Sequence, residues 1–197
     1  MFTTMERLPN ILSTIRILLT PVFLVLFFEP ELWIKLIALG VYIVAAITDF
    51  FDGYYARKYN IETSMGAFLD PFADKLLTLS GFAVLPFIAA DQFPWWAIIA
   101  IAIRDISITL LRLWARRKNL EMQTSSLAKL KTTVQMIFLY LGLVLGVFKG
   151  APIFLGDWVA LILSTDLMFW LLIIVTGITV YSGLHYLSQN RHLFQPV

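Results

Sequence analysis

The chain has 197 residues, of which 59% are hydrophobic, 15% aromatic and only 14% charged, and its mean hydropathy is +0.81. A soluble globular chain carries charge on roughly a quarter of its residues, so this balance excludes disorder, collagen-like repeats and an ordinary cytosolic enzyme and leaves an integral membrane protein. The net charge of +2 says little about nucleic acid, which is not an expected partner; the informative signal is where the basic residues cluster.

About 20 apolar residues cross a hydrocarbon core of roughly 30 Å as a helix. Six runs near that length predict an all-α membrane protein with six transmembrane helices in one domain over residues 1–197. The first runs from about Ile11 to Phe28 and is stopped by Glu29, Pro30 and Glu31; the second runs from Leu32 to Arg57. The third extends from Ser64 to Phe87, the fourth from Pro94 to Arg117, the fifth from Leu127 to Phe148 and the sixth from Asp166 to Leu187. Ahead of the first, Phe2, Met5 and Leu8 have the spacing of a short interfacial helix, and no cleaved signal peptide is expected because no small-residue cleavage pattern follows. Pro152 to Leu163 is apolar but short, and is expected to be a loop with interfacial pieces. Ser164, Thr165 and Asp166 are N-cap candidates for the last helix.

Basic residues gather on alternate connections: Arg7, then Arg57 and Lys58, then Arg116, Arg117, Lys118, Lys129 and Lys131, and finally Arg191. The other side has only Lys35 and Lys149. The positive-inside rule therefore puts both termini and both basic loops in the cytoplasm. Trp95 and Trp96 mark the outer aromatic belt. Cysteine is absent, which excludes disulfides, thiolate metal sites and a cysteine nucleophile.

Ionisable groups inside a span cost roughly 2.5 to 3.5 kcal/mol each on insertion scales, so they are functional suspects. Asp49 and Asp52 lie near the cytoplasmic end of span two, and Asp70 and Asp74 near the cytoplasmic start of span three. Spacings of three and four residues put each pair on one helical face. The short loop from Lys58 to Thr63 makes the two helices antiparallel neighbours, so the four carboxylates are expected to converge just below the cytoplasmic surface. Such charges must be protonated, paired or neutralised by metal. Two divalent cations would cancel them, and all-oxygen ligands favour hard ions such as Mg²⁺ or Mn²⁺. Two such ions suit displacement at phosphorus. Gly53 and Ala56, with Gly66 and Ala67 opposite, permit close approach of a backbone or a bulky ligand, and Arg57 offers a planar fork for phosphate oxygens. A pocket of this kind at a headgroup surface implies a phosphate-bearing lipid substrate.

The stretch from Asp49 to Asp74 reads DFFDGYYARKYNIETSMGAFLDPFAD. It resembles the signature DxxDGxxARx(8)GxxxDxxxD of the CDP-alcohol phosphatidyltransferases and matches all eight fixed positions. Looser likenesses to the bacterial, phosphatidylglycerophosphate-forming members of that family lie in PNILSTIRILLTP, RDISITLLRLWARR and KLKTTVQM. The resemblance implies six transmembrane helices, a homodimer, a bacterial inner-membrane location and an active site on the cytoplasmic side. It implies that an acceptor hydroxyl attacks the phosphatidyl phosphorus of CDP-diacylglycerol and CMP leaves. Asp49, Asp52 and Asp70 would be ligands of two divalent cations, and Asp74 a ligand that also takes the proton. Gly53, Ala56, Arg57, Thr63 and Gly66 would contact the cytidine diphosphate. Asn10, Ser13 and Arg16 stand where the family commonly has Asn, Thr and Arg, so a serine replaces the usual threonine, and Asn10 and Ser13 would bind the CDP-lipid together with those residues.

With glycerol 3-phosphate as acceptor, a second phosphate needs added positive charge, for which Arg104, Arg112 and Lys131 are candidates. Arg104 and Arg112 are close enough round the helix to face one cavity, and Asp105 and Arg112, seven apart, could form an ion pair. The plain alternative for these cations is helix anchoring at headgroups, and for the four aspartates a structural network with Arg57, Lys58 and Lys75. Other acceptors (inositol phosphate, phosphatidylglycerol or another alcohol), a divalent-cation transporter and a non-catalytic scaffold remain alternatives for the whole chain. His185 and His192 are read as packing or interfacial groups, and Asp166 as a cap.

Overall fold

The structure, a computed structural model, describes the backbone of residues 4–59, 66–118 and 126–191, and the side chains of residues 11–48, 69–118 and 130–191. The described residues form seven α-helices and no strand: α1 Thr4–Phe27, α2 Leu32–Tyr59, α3 Gly66–Ile88, α4 Trp95–Arg117, α5 Ser126–Phe148, α6 Phe154–Ser164 and α7 Leu167–Gln189. Helices close every backbone hydrogen bond within the segment, which is what an apolar solvent demands. Three stretches are long and apolar enough to cross a membrane: Leu69–Ile88, Leu130–Phe148 and Leu167–Gln189. The chain divides into two compact units, Met1–Val84 and Leu85–Val197.

In the first unit, α1 packs along α2. The buried stripe of α1 runs Ser13, Arg16, Thr20, Phe23 and Phe27, alternating steps of three and four that keep one helical face inward. Its lower half is polar and its upper half aromatic. Phe23 meets Tyr42 of α2 at a ring separation of 4.8 Å, and the Tyr42 hydroxyl donates to the Leu77 carbonyl of α3 at 3.3 Å. The opposite faces carry exposed apolar side chains such as Leu18, Val25 and Val44, as expected of surfaces solvated by lipid.

In the second unit, α7 packs against α4, α5 and α6. Its buried stripe runs Met168, Leu172, Val175, Thr179, Ser182 and Tyr186, apolar at the start and polar toward the end. On α4 the buried face of Ala97, Ile98, Ile101, Ile108 and Ala115 is interrupted by Asp105. α5 runs the other way, from buried Lys131 and Gln135 to Leu139 and Leu143. Buried Asp105, Lys131, Gln135 and Ser182 thus bring polar groups from three helices into an otherwise apolar interior.

Three expectations are corrected. Residues 154–164 form a helix, α6, rather than a loop. Gly150, at φ 74°, supplies the left-handed turn that reverses the chain after α5, and an 11-residue helix is only about 16 Å long, below what a search for spans detects. The N-terminal segment is not a separate short helix: α1 begins at Thr4 and continues through Pro9, since one missing backbone donor is tolerated in an apolar helix. Asp166 stands at the N-cap position of α7 but its side chain makes no capping bond. The Phe169 amide donates instead to Gln92 Oε1 at 3.1 Å, and the Leu167 amide to Thr165 Oγ1 at 3.4 Å.

Candidate active site

Asp70 and Asp74 lie on the packed face of α3, with Ala73 and Leu77 buried between and after them. The Ser13 hydroxyl of α1 donates to Asp70 Oδ1, so two residues expected at the site from separate segments are in contact. Ser13 and Arg16, one turn apart on α1, are both wholly buried. A guanidinium at such a position is expensive in an apolar medium and marks a functional interior. Asp74 is partly open, its side chain 38% exposed, and pairs with its neighbour Lys75 at 3.1 Å.

The side chains of Asn10, Asp49, Asp52, Gly53, Ala56, Arg57 and Gly66, and all of Thr63, lie outside the described residues, as do Lys129 and His192. The helix register still relates the two acidic segments. Tyr42 contacts Leu77; Asp49 is seven residues onward along α2 and Asp70 seven residues back along α3, so both backbone positions lie about 10 Å from that contact. The same count puts Asp52 about 15 Å and Asp74 about 4.5 Å away. Among the described residues no three acidic or histidine side chains cluster as metal ligands. Asp70 and Asp74 supply hard oxygen donors on one face, which suits Mg²⁺ or Mn²⁺.

In the second unit the expected cations are held in a polar cluster. Lys131 Nζ donates to Asp105 Oδ1, which Arg104 Nη1 also reaches at 3.1 Å. Gln135 Nε2 donates to Asp105 Oδ2 at 3.2 Å, and Arg104 Nη2 to the Ser182 hydroxyl at 2.9 Å. Arg112 Nε donates to the Tyr186 hydroxyl at 3.1 Å, with its guanidinium carbon 5.0 Å from that ring's centroid. Arg104 and Arg112 therefore both face α7, about two turns apart on α4, where they meet Ser182 and Tyr186. Asp105 pairs with Arg104 and Lys131 rather than with Arg112, because seven residues share a face but are separated by two turns, about 10 Å of rise.

Sequence reasoning passed over Asp105, Gln135, Ser182 and Tyr186 as site residues. The signal was present for the first: Asp105 interrupts a stripe of Ile98, Ile101 and Ile108, where an apolar residue is expected. The α7 partners have no such mark, since Ser and Tyr are ordinary in membrane helices. His185 stacks on Tyr181 at 6.2 Å, in keeping with a packing role.

The sequence profile of the CDP-alcohol phosphatidyltransferases matches residues 6–181. The chain belongs to this family. Phosphatidyltransferase chemistry follows from that membership, and the eight-position motif on α2 and α3 is its signature. Among relatives, the CDP-diacylglycerol–glycerol-3-phosphate 3-phosphatidyltransferase of Rickettsia typhi is 36% identical over 178 residues, covering 90% of this chain and 95% of its own. The protein of the same name from Rickettsia bellii is 37% identical over 180 residues, covering 90% and 93%. That of Escherichia coli K12 is 37% identical over 139 residues, covering 68% and 74%.

Proposed function

We propose that this phosphatidyltransferase transfers the phosphatidyl group of CDP-diacylglycerol to glycerol 3-phosphate, giving phosphatidylglycerophosphate and CMP at the cytoplasmic face of a bacterial inner membrane. The observation that carries the acceptor is that relatives matched over nine-tenths of this chain bear that activity in their names. The homodimer implied by family resemblance is part of the same proposal.

A hydroxyl oxygen of glycerol 3-phosphate forms a bond to the phosphatidyl phosphorus, the phosphoanhydride bond to CMP breaks, and CMP leaves with the electron pair. Asp74, partly open beside Asp70, takes the proton of the attacking hydroxyl. Asp49, Asp52, Asp70 and Asp74 would hold two divalent cations, which when bound stabilise the charge on the phosphate oxygens. Ser13 fixes the rotamer of Asp70 through its hydroxyl. Gly53, Ala56, Arg57, Thr63 and Gly66, with Asn10, line the cytidine diphosphate. Arg104, Arg112 and Lys131 receive the acceptor's phosphate, which carries about −1.5 to −2 as a phosphomonoester.

The test is the purified protein in lipid with CDP-diacylglycerol, scored for CMP release with glycerol 3-phosphate and with other alcohols. Release specific to glycerol 3-phosphate, lost in EDTA and restored by Mg²⁺ or Mn²⁺, is expected. Release only with another alcohol would refute the acceptor, and full turnover in EDTA would refute the metals.

A further inference from the structure

We propose that Asp105 is a positioning residue for the acceptor phosphate: it holds Lys131 and Arg104 side by side as a preformed anion seat. This rests on the reading of that cluster as the acceptor's phosphate site, and adds to it the residue that builds the seat.

Packing gives no reason for a carboxylate here. Position 105 falls in the buried isoleucine stripe of α4, and a buried ion pair is often no more stable than the apolar residues that could replace it. The Asp105 side chain is 1% exposed and that of Lys131 3%, so neither reaches water for solvation. Both carboxylate oxygens are engaged: Oδ1 by Lys131 and Arg104, Oδ2 by the Gln135 amide. The amide thus fixes the carboxylate, and the carboxylate fixes two cations that would otherwise repel each other. A second anchor holds Arg104 from α7, through Ser182.

Among the described residues, one carboxylate stands against two cations in this cluster. This arrangement orders the donors of Arg104 and Lys131 before a ligand arrives. Ordering ahead of binding spares the ligand the cost of fixing two long side chains. The consequence is specific: weakening Asp105 should raise KM for the phosphate-bearing acceptor and leave the CDP-lipid half of the reaction untouched.

The experiment measures kcat and both KM values for the full-length protein in lipid, with Arg104→Gln and Lys131→Met as references. For Asp105→Asn, KM for glycerol 3-phosphate is expected to rise about tenfold or more, with kcat and KM for CDP-diacylglycerol within about threefold. Asp105→Glu, which keeps the charge but moves it, should recover part of the loss. Should Asp105→Asn fail to fold by thermal unfolding, Gln135→Leu carries the test, since it keeps every charge and removes only the donor to Oδ2; a rise of about three- to tenfold in the same KM is expected. If the reference variants raise that KM while the folded Asp105 and Gln135 variants stay within twofold of the parent, the positioning role is overturned and the acceptor site stands. If both KM values rise together in these variants, the residue is merely structural and the proposal is overturned. If the reference variants also leave KM unchanged, the acceptor reading of the cluster fails and takes this inference with it.

Discussion

Gly183→Ala should disable acceptor use without removing a single charge. A Cβ at Gly183 would stand 2.8 Å from Arg104 Cγ, 3.2 Å from Nε and 3.6 Å from Cδ. Ordinary contact between carbons is about 3.5 to 4.0 Å, so the Arg104 stem must retreat by about 1 Å. That carries its bonds to Ser182 and Asp105, now 2.9 and 3.1 Å, out of hydrogen-bonding range. A displaced Arg104 also misses the acceptor phosphate, and one charged hydrogen bond lost there costs about 1.5 to 3 kcal/mol, a rise of about 10- to 150-fold in KM for glycerol 3-phosphate.

Stability should fall as well, since overpacking costs about 1 to 3 kcal/mol and the broken Arg104 bonds add to it, while alanine in place of helical glycine returns about 1 kcal/mol. Gly177 on the same helix is the control, since nothing lies within 4 Å of its added Cβ. Gly177→Ala should raise stability by up to about 1 kcal/mol, about 2 to 4 °C in Tm, and leave KM alone. The assay is CMP release against glycerol 3-phosphate concentration, with thermal unfolding on the same samples. An unchanged KM in Gly183→Ala, or an equal rise in Gly177→Ala, would refute the reasoning.

Ser13→Ala removes the donor to Asp70 and should lower kcat/KM for CDP-diacylglycerol by about 10- to 100-fold, the worth of a hydrogen bond to a charged group, while Ser13→Thr restores the hydroxyl and most of the rate. Asp74→Asn removes the proton acceptor and should cut kcat by about 10²-fold or more in steady-state CMP release, with the fold intact by thermal unfolding. Gln92→Leu strips the α7 amide of its cap and should lower stability by about 1 kcal/mol, about 2 to 4 °C in Tm; Asp166→Ala, with no capping bond to lose, should leave Tm within a degree or so of the parent.

Hydrophobic run length alone located six helices, α1 to α5 and α7, although α1 starts at Thr4 rather than Ile11 and three stretches are long and apolar enough to cross a membrane, because a long helix in an apolar setting needs a long apolar segment whatever its neighbours do. The acidic motif was equally legible: carboxylates inside such segments are costly enough that their presence and spacing speak for themselves. α6 escaped because a helix of 11 residues has no run-length signature, and the cap of α7 escaped because Gln92, 77 residues from Phe169, is invisible to any local rule.

The partner of each charge was a question only tertiary structure could decide. Helical spacing put Asp105 and Arg112 on one face, yet Asp105 meets Lys131 and Gln135 from α5, and Arg112 meets Tyr186 from α7. Periodicity states which way a side chain points along its own helix; it does not state what stands opposite. That depends on how the helices of a unit are rotated and registered against one another, which packing of their buried stripes determines.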